Sequence, residues 1–515
     1  MNISPQSNTE FHRVINSLQH GYLVLLCGEI KQKGIQMKKK SYIGMVLIGA
    51  AMSVGMTSCG VFTKTYKAPE VNTEGLYRDE QPTDTATIAS IPWQEYFADP
   101  TLQFLIEEGL AANYDLKIAV SRIREAEAGL QMARAAYFPT VGLSAIAEHS
   151  RSSQGSSILK NHQNQFTLGV AVTWEAEIWG KMSSQSRAKY AQFLSSYSYK
   201  NLIQTSLIAN IANTYYALLA LDEQLQITTE TAKLLQESAD SMKEMMEAGM
   251  LNGAAVQQSL GLLYSTQTGI PDLESQIRQL ENSLSVLLGR RPGNITRSTL
   301  KAQAVPTELS HGVPMQMLAN RPDVQQAELA FRSAFEATNV ARASFYPSIT
   351  LNTGTMAGYS ATTLSQFFEP RNIIANIIGG LTQPIFAKRQ LTGNLKVAKA
   401  QQEQALYSFE QTVLSAGQEV SDILYTYESS VKKNTTRIKQ VEALSTAVYY
   451  TQELLRAGEA NYTEVLSAQQ NLLQAQISQV SDKLEQLQAT VNLYRSLGGG
   501  PGPEAGLPDF HAKGE

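Results

Sequence analysis

ARAAYFPTVGL, residues 133–143, decides the fold, because it returns as ARASFYPSITL at 341–351. Before the proline, Leu116, Ala119, Ile123, Ala126, Leu130 and Ala133 step by threes and fours, the spacing of one helix face. After it the period falls to two, with Val141, Leu143, Ala145 and Ala147 alternating with smaller or polar residues, as in a half-buried strand. Proline has no N–H to donate and pushes the preceding residue out of the helical region. Pro139 and Pro347 therefore mark two helix-to-strand junctions. A Ser/Gly/Asn-rich loop (148–164) leads to a second alternating run, with Phe166, Leu168, Val170, Val172 and Trp174 on one face. In the later copy Ile349 and Leu351 follow the proline, a loop falls near 359–372, and a last strand ends before Pro384. Four strands are expected: 140–148, 165–174, 348–358 and 373–383.

The repetition extends well beyond these blocks. Pro139 and Pro347 lie 208 residues apart, as do Asp115 and Asp323 in NYDL (113–116) and RPDV (321–324). Gly249 and Gly458 are 209 apart, and so are Gly289 and Gly498. Two long similar halves indicate a duplication rather than a solenoid of short repeats. Each half then contains its longest helix. Residues 181–247 hold no proline and carry a stripe at Ile203, Leu207, Ile211, Tyr215 and Leu218. The counterpart at 388–456 carries Val413, Val420, Ile423, Tyr427 and Val431. Each would be about 100 Å long and ends at an Ala-Gly pair, glycine being the usual residue just past a helix. A return helix follows. Its seam is Leu473, Ile477, Val480, Leu484, Leu487, Val491 and Tyr494 in the second half, a heptad pattern. In the first half it is Ile270, Leu273, Ile277, Leu280, Leu284 and Leu287, where Pro271 predicts a kink or a late start.

Helices of this length with thin apolar seams suit a coiled-coil wall. Four short strands cannot close a membrane barrel, since the smallest have about eight, and an open sheet in lipid would leave both edges unsatisfied. Several chains must pool their strands, and periodicity alone leaves dimer or trimer open. The fold class expected is mainly α with a small β part.

The N-terminal region carries a different signal. From Met37, MKKKSYIGMVLIGAAMSVGMTSCG gives three lysines, an apolar core, and small residues before Cys59. That is the order of a secretory signal, with Cys59 placed as a lipidated first residue. The apolar core from Tyr42 to Met56 is shorter than the roughly 20 residues a span needs. Residues 1–36 precede a complete signal and are read as an upstream, non-native extension. The domains expected are the signal peptide at 37–58, a first repeat with an N-terminal equatorial segment at 59–312, a second repeat at 313–498, and an equatorial tail at 499–515. Loss of residues 1–58 would remove six basic and two acidic residues and leave a net charge of -8.

Catalytic and nucleic-acid readings find little support. The charged fraction is 17% and the formal net charge -4, with no basic run outside the N-terminal region, which excludes a generally basic nucleic-acid binder. Cys27 and Cys59 give neither a disulfide framework nor metal-ligand spacing. Six scattered histidines form no HExxH, and no Walker loop or GxSxG elbow occurs. Glu107 and Glu108 sit on an exposed helix stretch with no partner base. The expectation is no enzyme and no cofactor.

The residues resemble the TolC-like outer-membrane efflux proteins, and more closely their NodT-type lipoprotein branch, over roughly residues 93–498. The resemblance is carried by WQEYFADPTLQFLIEEGLAANYDLKIA (93–119), the two ARA-aromatic-aromatic-Pro blocks, VTWEAEIWGK (172–181) and ANRPDVQQAE (319–328). It implies a homotrimer whose pooled strands form one 12-stranded transmembrane β-barrel, continued below by a coiled-coil helical tunnel. A collar at 62–98, 290–312 and the C-terminal tail would wrap the waist, and Tyr137, Phe138, Phe345 and Tyr346 would form an aromatic girdle. The partners implied are a periplasmic membrane-fusion adaptor, an inner-membrane RND or ABC pump, and outer-membrane lipid. In that family the periplasmic tip is gate and docking surface. Here the tip residues are Gly249, Asn252, Gly253, Gly458, Asn461 and Tyr462. The family often has an aspartate before the Ala-Gln pair and an arginine after it, where this chain has Ser467 and Gln470, leaving Glu464 as the nearby carboxylate. The function implied is a passive exit duct for efflux. A type I protein-secretion duct shares this architecture, and a non-pore coiled-coil lipoprotein would not need the strands.

Overall fold

The computed structural model describes residues 63–78, 88–152, 161–305, 314–352, 357–385 and 387–500, all within one compact unit, Thr63–Glu515. Cys59 and residues 501–515 lie outside the described residues. Two runs of elements follow each other. The first is α1 (Pro100–Ala112), α2 (Tyr114–Ala135), β1 (Thr140–Ser152), β2 (Asn161–Ala176), α3 (Lys181–Glu247) and α4 (Gly253–Leu287). The second is α5 (Pro322–Ala343), β3 (Ser348–Asn352), β4 (Ala357–Ala361), β5 (Ile373–Ala375), β6 (Gly379–Thr382), α6 (Gln390–Arg456) and α7 (Tyr462–Ser496). Short helices at Trp93–Tyr96 and Pro314–Asn320 flank them. Corresponding helices have equal lengths: 22 residues in α2 and α5, 67 in α3 and α6, 35 in α4 and α7.

All strand pairs are antiparallel. The first two strands are longer than their apolar patterns indicate, because pairing continues into the polar segment as far as Ser152↔Asn161. The last two are interrupted. β3 and β4 both pair with β2, one after the other along its length, and β6 and β5 pair with them in the same order. The register slips by two residues between the two stretches. The sheet is thus four strands wide, with β1 at one edge and β5/β6 at the other.

Residues directly opposite on neighbouring strands share a face. Val141, Leu143 and Ala145 stand opposite Val172, Val170 and Leu168. Leu168 and Trp174 stand opposite Tyr359 and Leu351, and Tyr359 and Ile349 opposite Ile373 and Leu381. One face is therefore apolar across all four strands. The other carries mostly small or polar residues, Gly142, Ser144, Thr167, Gly169, Thr350, Ser360 and Gly380, with Ile146 and Ile374 among them.

The helices form a bundle with its main core at the equator. Ile208, Ile211, Tyr215 and Leu218 of α3 meet Leu102 and Ile106 of α1, Leu284 of α4, Val413 and Val420 of α6, and Leu487, Val491 and Tyr494 of α7. The heptad seams read from sequence supply this core. Two points need correction. Of the kink or late start expected at Pro271, the late start does not occur: α4 begins at Gly253 and Pro271 lies inside it, since an exposed proline costs one hydrogen bond that a long packed helix can spare. Val431 is exposed in the chain, because the α6 stripe has turned away from its neighbours there. Among the described residues no helix is long and apolar enough to cross a membrane.

Candidate conduit wall, junctions and tip

At each junction the helix ends in a single tight turn before the proline. Tyr137 and Phe138 donate to Arg134 and Ala135, and Phe345 and Tyr346 to Arg342 and Ala343. β1 and β3 begin immediately after Pro139 and Pro347. Two indoles fasten these corners to the neighbouring hairpin: Trp174 Nε1 donates to Tyr137 O at 2.9 Å, and Trp179 Nε1 to Pro347 O at 2.6 Å. Trp179 also stacks on Tyr346 at 5.3 Å. The aromatics cluster at the corner where sheet meets bundle, with Phe138 73% exposed. VTWEAEIWGK is notable in the sequence, but its clamping role is visible only when the two copies are seen side by side.

NYDL and RPDV occupy one structural role with different chemistry. Asn113 Nδ2 donates to Leu287 O at 2.9 Å, closing the end of α4. Arg321 Nη1 donates to Ser496 O at 2.8 Å, closing the end of α7. The glycine just beyond each end packs without room for a side chain. A Cβ on Gly289 would stand 2.6 Å from Ala112 O, and one on Gly498 2.7 Å from Asn320 O, both at positive φ. Arg321 is buried and also holds Asp323 (Nε–Oδ1 3.0 Å, Nη2–Oδ2 2.6 Å) and Glu419 (2.7 Å), which in turn pairs with Arg495. Burial would raise the Asp323 carboxyl, but the Arg321 guanidinium outweighs it and holds it below the ordinary carboxylate range.

Asp99, which caps α1, ties the start of that helix to α3 and to the segment after α4. Its Oδ2 accepts from Tyr215 (2.7 Å), Ser298 (2.6 Å) and Gln303 (2.8 Å), and its Oδ1 from Thr101 N (2.8 Å). Burial pushes this carboxyl up, and the hydrogen bonds from Ser298, Tyr215 and Gln303 bring it below its usual value. Arg297 bridges Asp222 and Glu281 nearby. Glu108 is not without a basic partner, since it receives Arg290 at 3.1 Å. Sequence reasoning missed this hub, because its members are spread over 204 residues.

At the far end each long helix closes in a Schellman turn. Gly249 N donates to Met246 O and Met250 N to Met245 O; Gly458 N donates to Leu455 O and Glu459 N to Leu454 O. Both glycines have φ above +70°. Asn252 and Asn461 then cap the return helices, accepting from Ala255 N (3.1 Å) and Thr463 N (3.2 Å). Gly253 opens α4 and Tyr462 opens α7. Met242, Val256, Leu455 and Val465, with Tyr462 against them, pack the two hairpin tips into one small core. Glu464, Ser467 and Gln470 lie three apart along α7 and are all exposed, with Glu464 in its first turn, where the helix dipole favours a carboxylate. Among the described residues no group of His, Cys, Asp and Glu could hold a metal ion.

A sheet with one face apolar on all four strands and polar only towards the β1–β2 turn, set on helical hairpins of 67 and 35 residues, is the protomer architecture of an outer-membrane channel. The family model of the outer membrane efflux protein matches residues 105–290 and 313–499. "Probable outer membrane lipoprotein SilC" of Salmonella typhimurium is 28% identical over 409 residues, covering 79% of this chain and 88% of SilC. The antibiotic efflux pump outer membrane protein ArpC of Pseudomonas putida is 30% identical over 460 residues, covering 84% of this chain and 91% of ArpC. The solved outer-membrane channel OprN superposes with a TM-score of 0.78 at 25% identity, covering 85% of this chain and 99% of OprN. The chain belongs to the outer membrane efflux protein family.

Proposed function

We propose that this chain is one protomer of a trimeric exit duct, passively conducting substrates that an inner-membrane pump delivers through a periplasmic adaptor. The observation that carries the reading is the sheet: four strands, a face that is apolar on all four of them, and two edges with no partner among the described residues. β1 and β2, at 13 and 16 residues, exceed the 9–11 residues a tilted strand needs to span a bilayer. Backbone edges cannot stay open in lipid, so three copies closing 12 strands satisfy what one chain leaves unsatisfied. The equal helix lengths and the family model's two matched segments support an internal duplication.

The duplication also says where the copies meet. Within the chain α5 packs between α3 and α6, whereas its equivalent α2 packs against α3. On α3, Ser198 and Thr205 are buried; their equivalents on α6, Tyr407 and Leu414, are 58% and 66% exposed. The open face of α6 thus corresponds to a covered face of α3, and α2 of a second copy is its natural cover. Gly249, Asn252, Gly253, Gly458, Asn461 and Tyr462 shape the adaptor-docking tip in this reading. Glu464, Ser467 and Gln470 line the aperture, closing it without the charged pair common in relatives. Cys59 carries the lipid anchor; Cys59→Ser is expected to lose palmitate labelling and detach from the outer membrane, and unchanged labelling would remove the assignment. The duct itself is tested by single-channel recording of the purified trimer in planar bilayers. Discrete conductance steps are expected, larger when tip residues are substituted. A protein that never conducts, with or without tip substitutions, sinks the reading.

A further inference from the structure

The loop between β4 and β5, residues 362–372, is fixed in place by three aromatic rings. Tyr359 lies on the apolar face of the sheet, opposite Leu168 and Ile373. Its ring lies 6.1 Å from that of Phe367 and 5.5 Å from that of Phe368, and the latter two meet edge-on at 5.1 Å. The loop therefore folds back over the apolar side of the sheet, away from its Gly/Ser/Thr side. Phe367 is the buried member of the cluster. Phe368 and Leu364 project outward, 71% and 69% exposed.

Three further features suit this loop to an apolar medium. Its backbone turns on itself in two 3-10 turns, Leu364–Gln366 and Pro370–Asn372. Phe367, Glu369 and Asn372 N–H groups donate to Leu364, Gln366 and Glu369 carbonyls, and Asn372 Nδ2 donates to Gln366 O at 2.6 Å. Such internal pairing is what non-regular backbone needs where water is scarce. The loop's two charges, Glu369 and Arg371, pair with each other at 2.6 Å. Depth follows from the register. Tyr359 is level with Leu168 and Ala145, while the same face turns polar at His149 and Asn164, hydrogen-bonded at 2.6 Å. Four residues along a strand tilted by about 40° correspond to a drop of about 10 Å below that polar onset.

We propose that residues 362–372 form a hook that inserts Phe368 and Leu364 into the acyl region of the outer leaflet, outside the barrel wall. The proposal rests on reading the sheet's apolar face as the lipid-facing one. The loop's aromatics continue that face, which is why lipid, rather than a soluble partner, is the occupant it fits. The test is a nitroxide at Phe368→Cys and, separately, at Leu364→Cys, with Leu143→Cys on the sheet's apolar face as reference. Spectra are taken in proteoliposomes against the unsubstituted chain, which contributes only Cys27 and Cys59. All three labels are expected to relax strongly with oxygen and weakly with a water-soluble nickel chelate. Loop labels that respond to nickel as in water, with Leu143→Cys in lipid, overturn the hook alone. Loop labels shielded from both reagents overturn it in favour of cover by a neighbouring protomer. A Leu143→Cys label open to nickel overturns the barrel reading and the hook with it.

Discussion

Asp99 and Asp323 are the residues on which the waist depends, and both make its stability sensitive to acid. Each carboxyl is held below its ordinary value in the folded chain, Asp99 by neutral donors and Asp323 by Arg321. The unfolded chain therefore takes up the proton first. Their stabilisation is complete above the unfolded value, about pH 4, and is lost as the pH falls through the folded values. Melting followed by circular dichroism is expected to be level from pH 7 to 5 and to drop below 4. Asp99→Asn should melt lower at neutral pH by about 1–3 kcal/mol, having lost charge-assisted acceptance, and should converge on the parent in acid. Parallel pH profiles of the two proteins would show that Asp99 has no such role. RPDV could be picked out in the sequence, but its work could not. Nothing in the string says that an arginine does for α7 what an asparagine does for α4, because the shared partner is a backbone carbonyl 175 residues away.

Among the elements, the hairpin tips are the most readable and the most testable. The Ala-Gly pairs read as helix ends do close the long helices, in Schellman turns, and the asparagine three residues on caps each return helix, which the sequence reading does not assign. Replacing Asn252 and Asn461 together by alanine removes two caps, at about 1 kcal/mol each. Hydrogen exchange is expected to rise about five-fold in the first turns of α4 and α7 and to stay unchanged at the equator. Uniform change along the helices would count against a local capping role. The strands were read less completely. Apolar alternation located them, but β1 and β2 run on through polar residues, where pairing rather than burial sets the length. The two-residue register slip between the β3/β6 and β4/β5 stretches left no mark in the alternation. The late start allowed at Pro271 does not occur for a related reason: a helix packed against α3 tolerates a proline that would end an isolated one.

At the scale of the molecule, the proposed trimer makes the open face of α6 the surface to test. Leu414→Asp places a carboxylate where Thr205 is buried in the other repeat, at a cost of several kcal/mol if a second copy covers it. Sedimentation in detergent is expected to shift from trimer to monomer, whereas Leu234→Asp, on an exposed position of α3, should remain trimeric. A Leu414→Asp protein that stays trimeric would move the interface elsewhere. The strand count alone led to the proposal of pooled strands. The contact proposed on α6 had no counterpart in the sequence reading, since it comes only from comparing which equivalent side chains are covered.

The matched lengths of α3 with α6 and α4 with α7 make the molecule its own ruler. Each heptad added to a hairpin arm moves its end by about 10.5 Å. An insertion confined to α3 would shift α4 out of register, and one confined to the first hairpin would leave its turn protruding beyond the other's. Insertions and deletions are therefore expected to survive only as coordinated sets across all four arms, and two turns that stay level within the chain are what that constraint preserves.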